Sequence, residues 1–335
     1  MSARARTVLL VCAAAAIIAT GAALILAAHA SGNAQGVLGI GTALLALTLG
    51  ARHAFDADHI AAIDNTTRRL LASGRRAGTV GFAFALGHST VVVLLALLVG
   101  SGMRALTGAL GDPSSGLREA AGVVGGVASS AYLLIIAALN ARTLRGLRRS
   151  LIAARSGAPA DAVEPAHRHG LADTLLRPVW RLIDAPWKMF PVGFVFGLGF
   201  DTASEIGLLV LTARQNESAV PLWALLGLPL LFAGGMCLVD VIDSAVICAA
   251  YGWSGTSPAR RLRYDVTVTT VSIAAATGVA AVQVAGLLGS LGGPAAPLAR
   301  LDTIDSGVLG LVITAALLGV LAWAMAGARR RRRTA

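Results

Sequence analysis

Apolar residues run through this chain in stretches of twenty or more, divided by shorter polar segments. Eight stretches can be marked, at about 7–29, 36–62, 78–101, 119–140, 190–213, 220–250, 266–289 and 307–327. At 1.5 Å per residue, each is long enough to cross about 30 Å of hydrocarbon as a helix. None shows the alternating segments of about ten residues that mark a membrane β-barrel. The pattern therefore predicts an all-α, polytopic membrane protein with about eight transmembrane helices in a bundle. The second and sixth stretches are longer than a span requires, which predicts tilt, a break or an overhang in each.

The polar segments alternate in charge along the chain. Of 28 Lys and Arg, 23 fall at the N-terminus, in 68–76, in 141–189, in 260–263 and in the tail Arg329–Arg333. Four fall on the other side (Arg104, Arg118, Arg214 and Arg300), and Arg52 is left at depth. The positive-inside rule makes the rich side cytoplasmic. Eight spans with both termini in the cytoplasm then fit every loop, and the cell membrane is the expected location. This divides the chain into 1–140 with four helices, a basic cytoplasmic loop at 141–189, and 190–335 with four more. The loop opens on "ARTLRGLRRSLIAARSG", which reads as a basic amphipathic helix at the inner surface. The first stretch ends in Ala28-His29-Ala30, as a cleavable signal would, but its apolar part is about twenty residues, against 7–15 for a usual signal core. A retained helix is expected; cleavage would leave seven spans.

Composition agrees and narrows the class. The chain is 56% hydrophobic and only 13% charged, with mean hydropathy +0.74, whereas soluble domains carry about 25% charge. The net charge of +11 is spread over short loops and not gathered with aromatic residues on a soluble domain, so no nucleic-acid partner is expected. Cys12, Cys237 and Cys248 all lie in apolar stretches without metal-type spacing, and read as small apolar residues.

Against that background the ionisable residues inside the spans stand out. The second holds His53, Asp56, Asp58, His59 and, near its end, Asp64; the third holds His88. The fifth holds Asp201 and Glu205, and the sixth Asp240 and Asp243. Each such group costs about 2.5–3.5 kcal/mol to insert and is a functional candidate by default. Seven carboxylates and three imidazoles face one arginine, Arg52. Structural ion pairs would need far more cations, so the carboxylates are either protonated or visited by a cation that is not a side chain. Imidazole with carboxylate suits a divalent first-row transition metal; it is too nitrogen-rich for Mg²⁺ or Ca²⁺ and lacks thiolate for Cu(I).

On a continuous helix, His53, Asp56 and His59 would stack on one face, while Asp58 would face another helix or join through a local break. Asp201 with Glu205, and Asp240 with Asp243, would share faces. Asp64, close to Arg68, is expected to emerge solvated into the cytoplasm. His167 and His169 in the central loop are expected to be solvated too.

The segment "RHAFDADHIAAIDNTTR" resembles the signature of the nickel/cobalt transporter (NiCoT) family, whose second transmembrane helix carries His-x4-Asp-His; His53, Asp58 and His59 match it. "LGHSTVV" (86–92), "LGFDTASEI" (198–206) and "GMCLVDVIDS" (235–244) resemble the family's other helix motifs in order. Val241 stands where Thr is expected and Ser204 where Thr is common. The resemblance implies uptake of Ni²⁺, Co²⁺ or both as transported substrate, with no cofactor. It places His53, Asp58 and His59 at the centre of metal recognition, with His88 nearby.

From the residues, His53 and His59 are expected to supply neutral nitrogens, with Asp58 and Asp56 offsetting charge and His88 completing or gating the site. Asp201, Glu205, Asp240 and Asp243 are expected on the onward path or in support of the ligands. The expected partners are the divalent metal ion and the lipid bilayer; with no GxxxxGK[ST] loop, no ATPase partner is evident. An efflux permease would use the same ligands, and an intramembrane metalloenzyme would want a general base such as that of HExxH, which is absent. Efflux relatives, as the resemblance implies, carry His-rich cytoplasmic loops, and 141–189 has two His. Import is the expected direction.

Overall fold

The computed structural model describes residues 2–31, 38–101, 116–156, 184–199, 221–253, 258–290, 297, 300 and 304–332. Ser2 caps α1 (Ala3–Ala30) by accepting the Ala5 N–H at 3.2 Å. Then follow α2 (Ile40–His53), α3 (Ala57–Ala72), α4 (Val80–Gly100) and α5 (Gly116–Arg155). After a short 3₁₀ turn at Pro186–Lys188 come α6 (Met189–Gly197), the single turn α7 (Leu222–Leu225), α8 (Gly227–Trp253), α9 (Pro258–Ser290) and α10 (Ser306–Arg332). No strand occurs among the described residues.

Six helical segments are long and apolar enough to span a membrane: Ala3–Ala30, Val80–Gly100, Glu119–Ala153, Leu222–Tyr251, Leu262–Ser290 and Ser306–Met325. The molecule is thus a polytopic, all-α membrane protein. The second expected span is not one long helix, because it is broken into α2 and α3. The fifth is described only as α6, since 200–220 lie outside the described residues. Residues 141–155 are helical, but as the direct continuation of α5, a 40-residue helix about 60 Å long, and not as a separate element.

The centre of the bundle is α3, which packs against α4, α5, α8, α9 and α10. Thirteen of its sixteen residues are buried, many of them polar. Such a helix is tolerated at depth only if its polar groups find partners in neighbouring helices. Asn65 Nδ2 donates to the Ser272 carbonyl at 3.0 Å, Asn140 Nδ2 donates to Asn65 Oδ1 at 2.8 Å, and the hydroxyls of Thr66 and Tyr132 lie 2.6 Å apart. Arg68 and Arg69, expected in a loop, are buried on this helix. Around α3, the helices approach closely through glycine. A Cβ on Gly81 would lie 2.0 Å from the Asp240 carbonyl oxygen, so the backbones of α4 and α8 are in contact there.

Outside the bundle, Arg75 donates to the Asp184 carbonyl, and Lys188 Nζ lies 2.5 Å from the Asp184 carboxylate. The hydrogen bond from Lys188, helped by the charges of Lys188 and Arg75, holds the Asp184 carboxyl below its usual range. These contacts tie the segment after α3 to the start of α6.

Gly81→Ala is expected to lower the melting temperature of the purified protein by about 5 °C or more, because the added methyl meets a backbone carbonyl that cannot rotate away. Gly319→Ala, where nothing lies within 4 Å of the added carbon, should leave it unchanged. Thermal unfolding of both variants in one detergent checks this.

Candidate functional site

The candidate residues of the second span lie where α2 and α3 part. The Phe55 and Asp56 amides donate to the carbonyls of Arg52 and His53, both at 2.9 Å, closing α2 with tight turns. Asp56 then sits extended (φ −60°, ψ 141°) at the N-cap of α3. A capping aspartate normally accepts an amide of the new helix. Here the Asp56 carboxylate turns back instead, and its Oδ2 lies 2.8 Å from His53 Nδ1.

The amides left open at the start of α3 find other partners. Ala57 N–H donates to Ser306 Oγ of α10 at 3.2 Å, and His59 N–H to Asp58 Oδ1 at 3.0 Å. Asp305 caps α10 by accepting the Val308 N–H at 2.8 Å and pairs with Arg52 at 3.1 Å. The Val308 hydrogen bond, then the Arg52 charge, holds its carboxyl below the ordinary value. Gly310 permits the fit, since a Cβ there would fall 1.6 Å from the Phe55 carbonyl oxygen.

The break changes which residues meet. The continuous-helix stack of His53, Asp56 and His59 does not form. Instead the two imidazoles fold toward each other and toward His88 of α4. Ring centroids are 4.7 Å apart for His53 and His59, 5.0 Å for His53 and His88, and 4.8 Å for His59 and His88. His53 Nε2 and His88 Nε2 are 3.3 Å apart. All three residues are buried, and one ring nitrogen from each can be chosen so that all lie within 4.8 Å of one another. Phe84 stands edge-on to His59 at 4.8 Å and Phe232 lies 5.7 Å from His53, giving the cluster an apolar wall.

The carboxylates divide into three groups. Asp56 holds His53, as above. Asp58 faces different helices: its Oδ2 accepts from Ser129 Oγ of α5 at 3.3 Å and from Gln283 Nε2 of α9 at 3.2 Å. Asp240 of α8 is fully buried with its Oδ2 4.0 Å from His59 Nδ1, and neither of its oxygens has a hydrogen-bond partner. Asp243 Oδ2 is likewise buried without one. Buried carboxylate oxygens without a hydrogen-bond partner are rare in folded proteins. Asp201, Glu205, His167 and His169 lie outside the described residues.

Asp64 is corrected: it is not solvated. It is buried, with Oδ1 2.7 Å from Arg68 Nε and Oδ2 accepting from the Ser272 hydroxyl. The sequence reading placed α3's end in the cytoplasm, but this helix runs on through the packed bundle. Gln283 and Ser129 were missed altogether. The signal for Gln283 was present, as an amide set in the apolar run "GVAAVQVAGLL".

A polytopic helical membrane protein with a buried three-imidazole cluster, bordered by carboxylates short of partners, has the equipment of a metal permease. The model of the family described as "High-affinity nickel-transport protein" matches residues 39–328, and the chain belongs to this family of transporters; it is not an enzyme. The chain is 44% identical to the nickel transporter NicT of Mycobacterium tuberculosis, over 86% of this chain and 78% of the other. It is 44% identical to the cobalt transport protein NhlF of Rhodococcus rhodochrous, over 77% and 74%. It is 38% identical to the high-affinity nickel-transport protein NixA of Helicobacter pylori, over 84% and 87%. No solved structure matches the chain significantly.

Asp64→Asn would take from the buried Arg68 guanidinium the carboxylate paired with it at 2.7 Å, a loss of about 3–5 kcal/mol for a buried pair. The expected result is loss of most monodisperse protein on size-exclusion chromatography in detergent. The double variant Asp64→Asn/Arg68→Gln should recover part of it.

Proposed function

We propose that the chain imports Ni²⁺, Co²⁺ or both into the cytoplasm across the cell membrane, through a site formed by His53, His59 and His88. The observation that carries this reading is the meeting of three buried imidazoles from α2, α3 and α4, their ligand atoms within 4.8 Å. Nitrogen donors of this kind suit late first-row divalent metals. Two nitrogens 3.3 Å apart match a shared ion at roughly 2.1 Å from each, with an angle of about 100° between them. The names of the relatives, some for nickel and one for cobalt, support the same cargo.

The roles follow from the contacts. Asp56 orients His53 by taking its Nδ1–H, which leaves Nε2 for the ion and raises its basicity. Asp56 and Asp58 offset part of the ion's charge. Asp240 stands next to His59 and receives the ion on its way inward, with Asp243 one turn further along α8. Asp201 and Glu205 serve the same path or orient its ligands. For two charges the membrane potential contributes about 4.6 kcal/mol per 100 mV, so entry to a negative interior needs no ATP. The same reading takes eight spans, both termini in the cytoplasm, and a basic cytoplasmic loop at 141–189, whose two histidines favour import over efflux.

Cells expressing the chain are expected to accumulate radiolabelled Ni²⁺ or Co²⁺, and His53→Ala, His59→Ala and His88→Ala each to lose roughly tenfold or more at equal expression. Metal content below that of empty cells would reverse the direction, and full accumulation by the three variants would remove the site.

Protons compete with the ion for imidazole nitrogen, so uptake should fall as the external medium is acidified. A pH series of initial rates at fixed membrane potential checks the sign; a rise on acidification would contradict it.

A further inference from the structure

Asp58 is the residue whose place the sequence and the tertiary structure describe differently. The His-x4-Asp-His motif puts it beside His59, yet the three-imidazole cluster does not include it. Consecutive helical residues point about 100° apart, and the Asp58 carboxylate is taken up by other helices. Oδ1 accepts the His59 amide at 3.0 Å, while Oδ2 accepts from Gln283 Nε2 at 3.2 Å and Ser129 Oγ at 3.3 Å. Gln283 is itself held, because its Oε1 accepts from Ser130 Oγ at 3.1 Å; Ser129 Oγ lies equally near, but its single proton serves Asp58 Oδ2 in this arrangement. An amide on α9 and two hydroxyls on α5 thus form a ring of polar groups beside one carboxylate oxygen.

That ring does something specific to a neighbouring metal site. A carboxylate adds a charged, hard ligand and tightens divalent binding, whereas a permease must also release its cargo. Held by Gln283 Nε2 and Ser129 Oγ, Oδ2 is tied to α9 and α5, and Asp58 is not among the three residues whose ligand atoms meet.

We propose that Gln283, assisted by Ser129, is a positioning residue that holds Asp58 out of the imidazole cluster and so sets affinity against release. The inference rests on the proposed imidazole site, but not on the direction of transport. With the Gln283 donor gone, Asp58 turns toward the bound ion: binding tightens and turnover slows together. A packing defect would instead weaken binding, or slow transport at unchanged affinity.

The test is Gln283→Met, with Ser129→Ala as a second, smaller lesion. Equilibrium Ni²⁺ binding to purified full-length protein is measured beside the flux of radiolabelled Ni²⁺ in proteoliposomes. Gln283→Met is expected to lower both Kd and maximal flux by roughly fivefold, a size usual for coupled contacts, and Ser129→Ala to do the same to a lesser degree. In an Asp58→Asn background, Gln283→Met should have no further effect on either quantity. An unchanged Kd in both single variants, or an equal effect with and without Asp58→Asn, would overturn the inference. If Gln283→Met fails to fold, Ser129→Ala in the two backgrounds decides alone. Wild-type protein that binds no Ni²⁺ in detergent would defeat the imidazole site itself, a separate outcome.

Discussion

The rest of the structure depends on an interrupted backbone ladder. Between His53 and Ala57 the helix stops and restarts inside a chain built to span hydrocarbon, where an unsatisfied amide or carbonyl costs several kcal/mol. Such a break is tolerated only if protein, not lipid, answers the freed groups. Two tight turns close α2, Ser306 Oγ accepts the Ala57 amide, and Asp58 accepts the His59 amide. The bareness of Gly310 lets α10 come close to the Phe55 carbonyl. The broken helix and the start of α10 therefore hold each other in place.

The break turns residues six positions apart into neighbours. His53 at the end of one helix and His59 near the start of the next face one another and His88. It also releases Asp56 from capping, so that its carboxylate orients His53. Asp58, one residue before His59, is carried to the other side, into the hydrogen-bonding reach of α5 and α9. One local interruption thus distributes two imidazoles and two carboxylates to three different places.

Around it the bundle resolves an apparent contradiction, a polar helix at the centre of an apolar protein. Asn65, Thr66, Asp64 and Arg68 on α3 each meet a partner on a neighbouring helix or one turn away. Buried polar networks of this kind fix one arrangement of helices, because a shifted register would leave several groups unsatisfied at once. By contrast, the carboxylate oxygens of Asp240 lack hydrogen bonds.

Much of this was legible in the chain alone. Apolar runs of twenty or more residues read as membrane helices, since hydrocarbon demands that every backbone group be satisfied within the protein. The excess of ionisable groups over cations in those runs named His53, His59 and His88 and the chemistry they suit. The break itself was only partly foreseen: an overlong stretch announced some irregularity, but no proline or glycine stands within Ala51–Ile60 to mark where. Its position is decided by α10, more than two hundred residues on, through Ser306 and Gly310. The burial of Asp64 with Arg68 and the capture of Asp58 by Gln283 belong to the same class. A sequence records which groups need partners, and local spacing finds those within a turn or two. Which distant helix supplies the rest is settled when the bundle packs, because only then do α5, α9 and α10 come within hydrogen-bonding distance of α3.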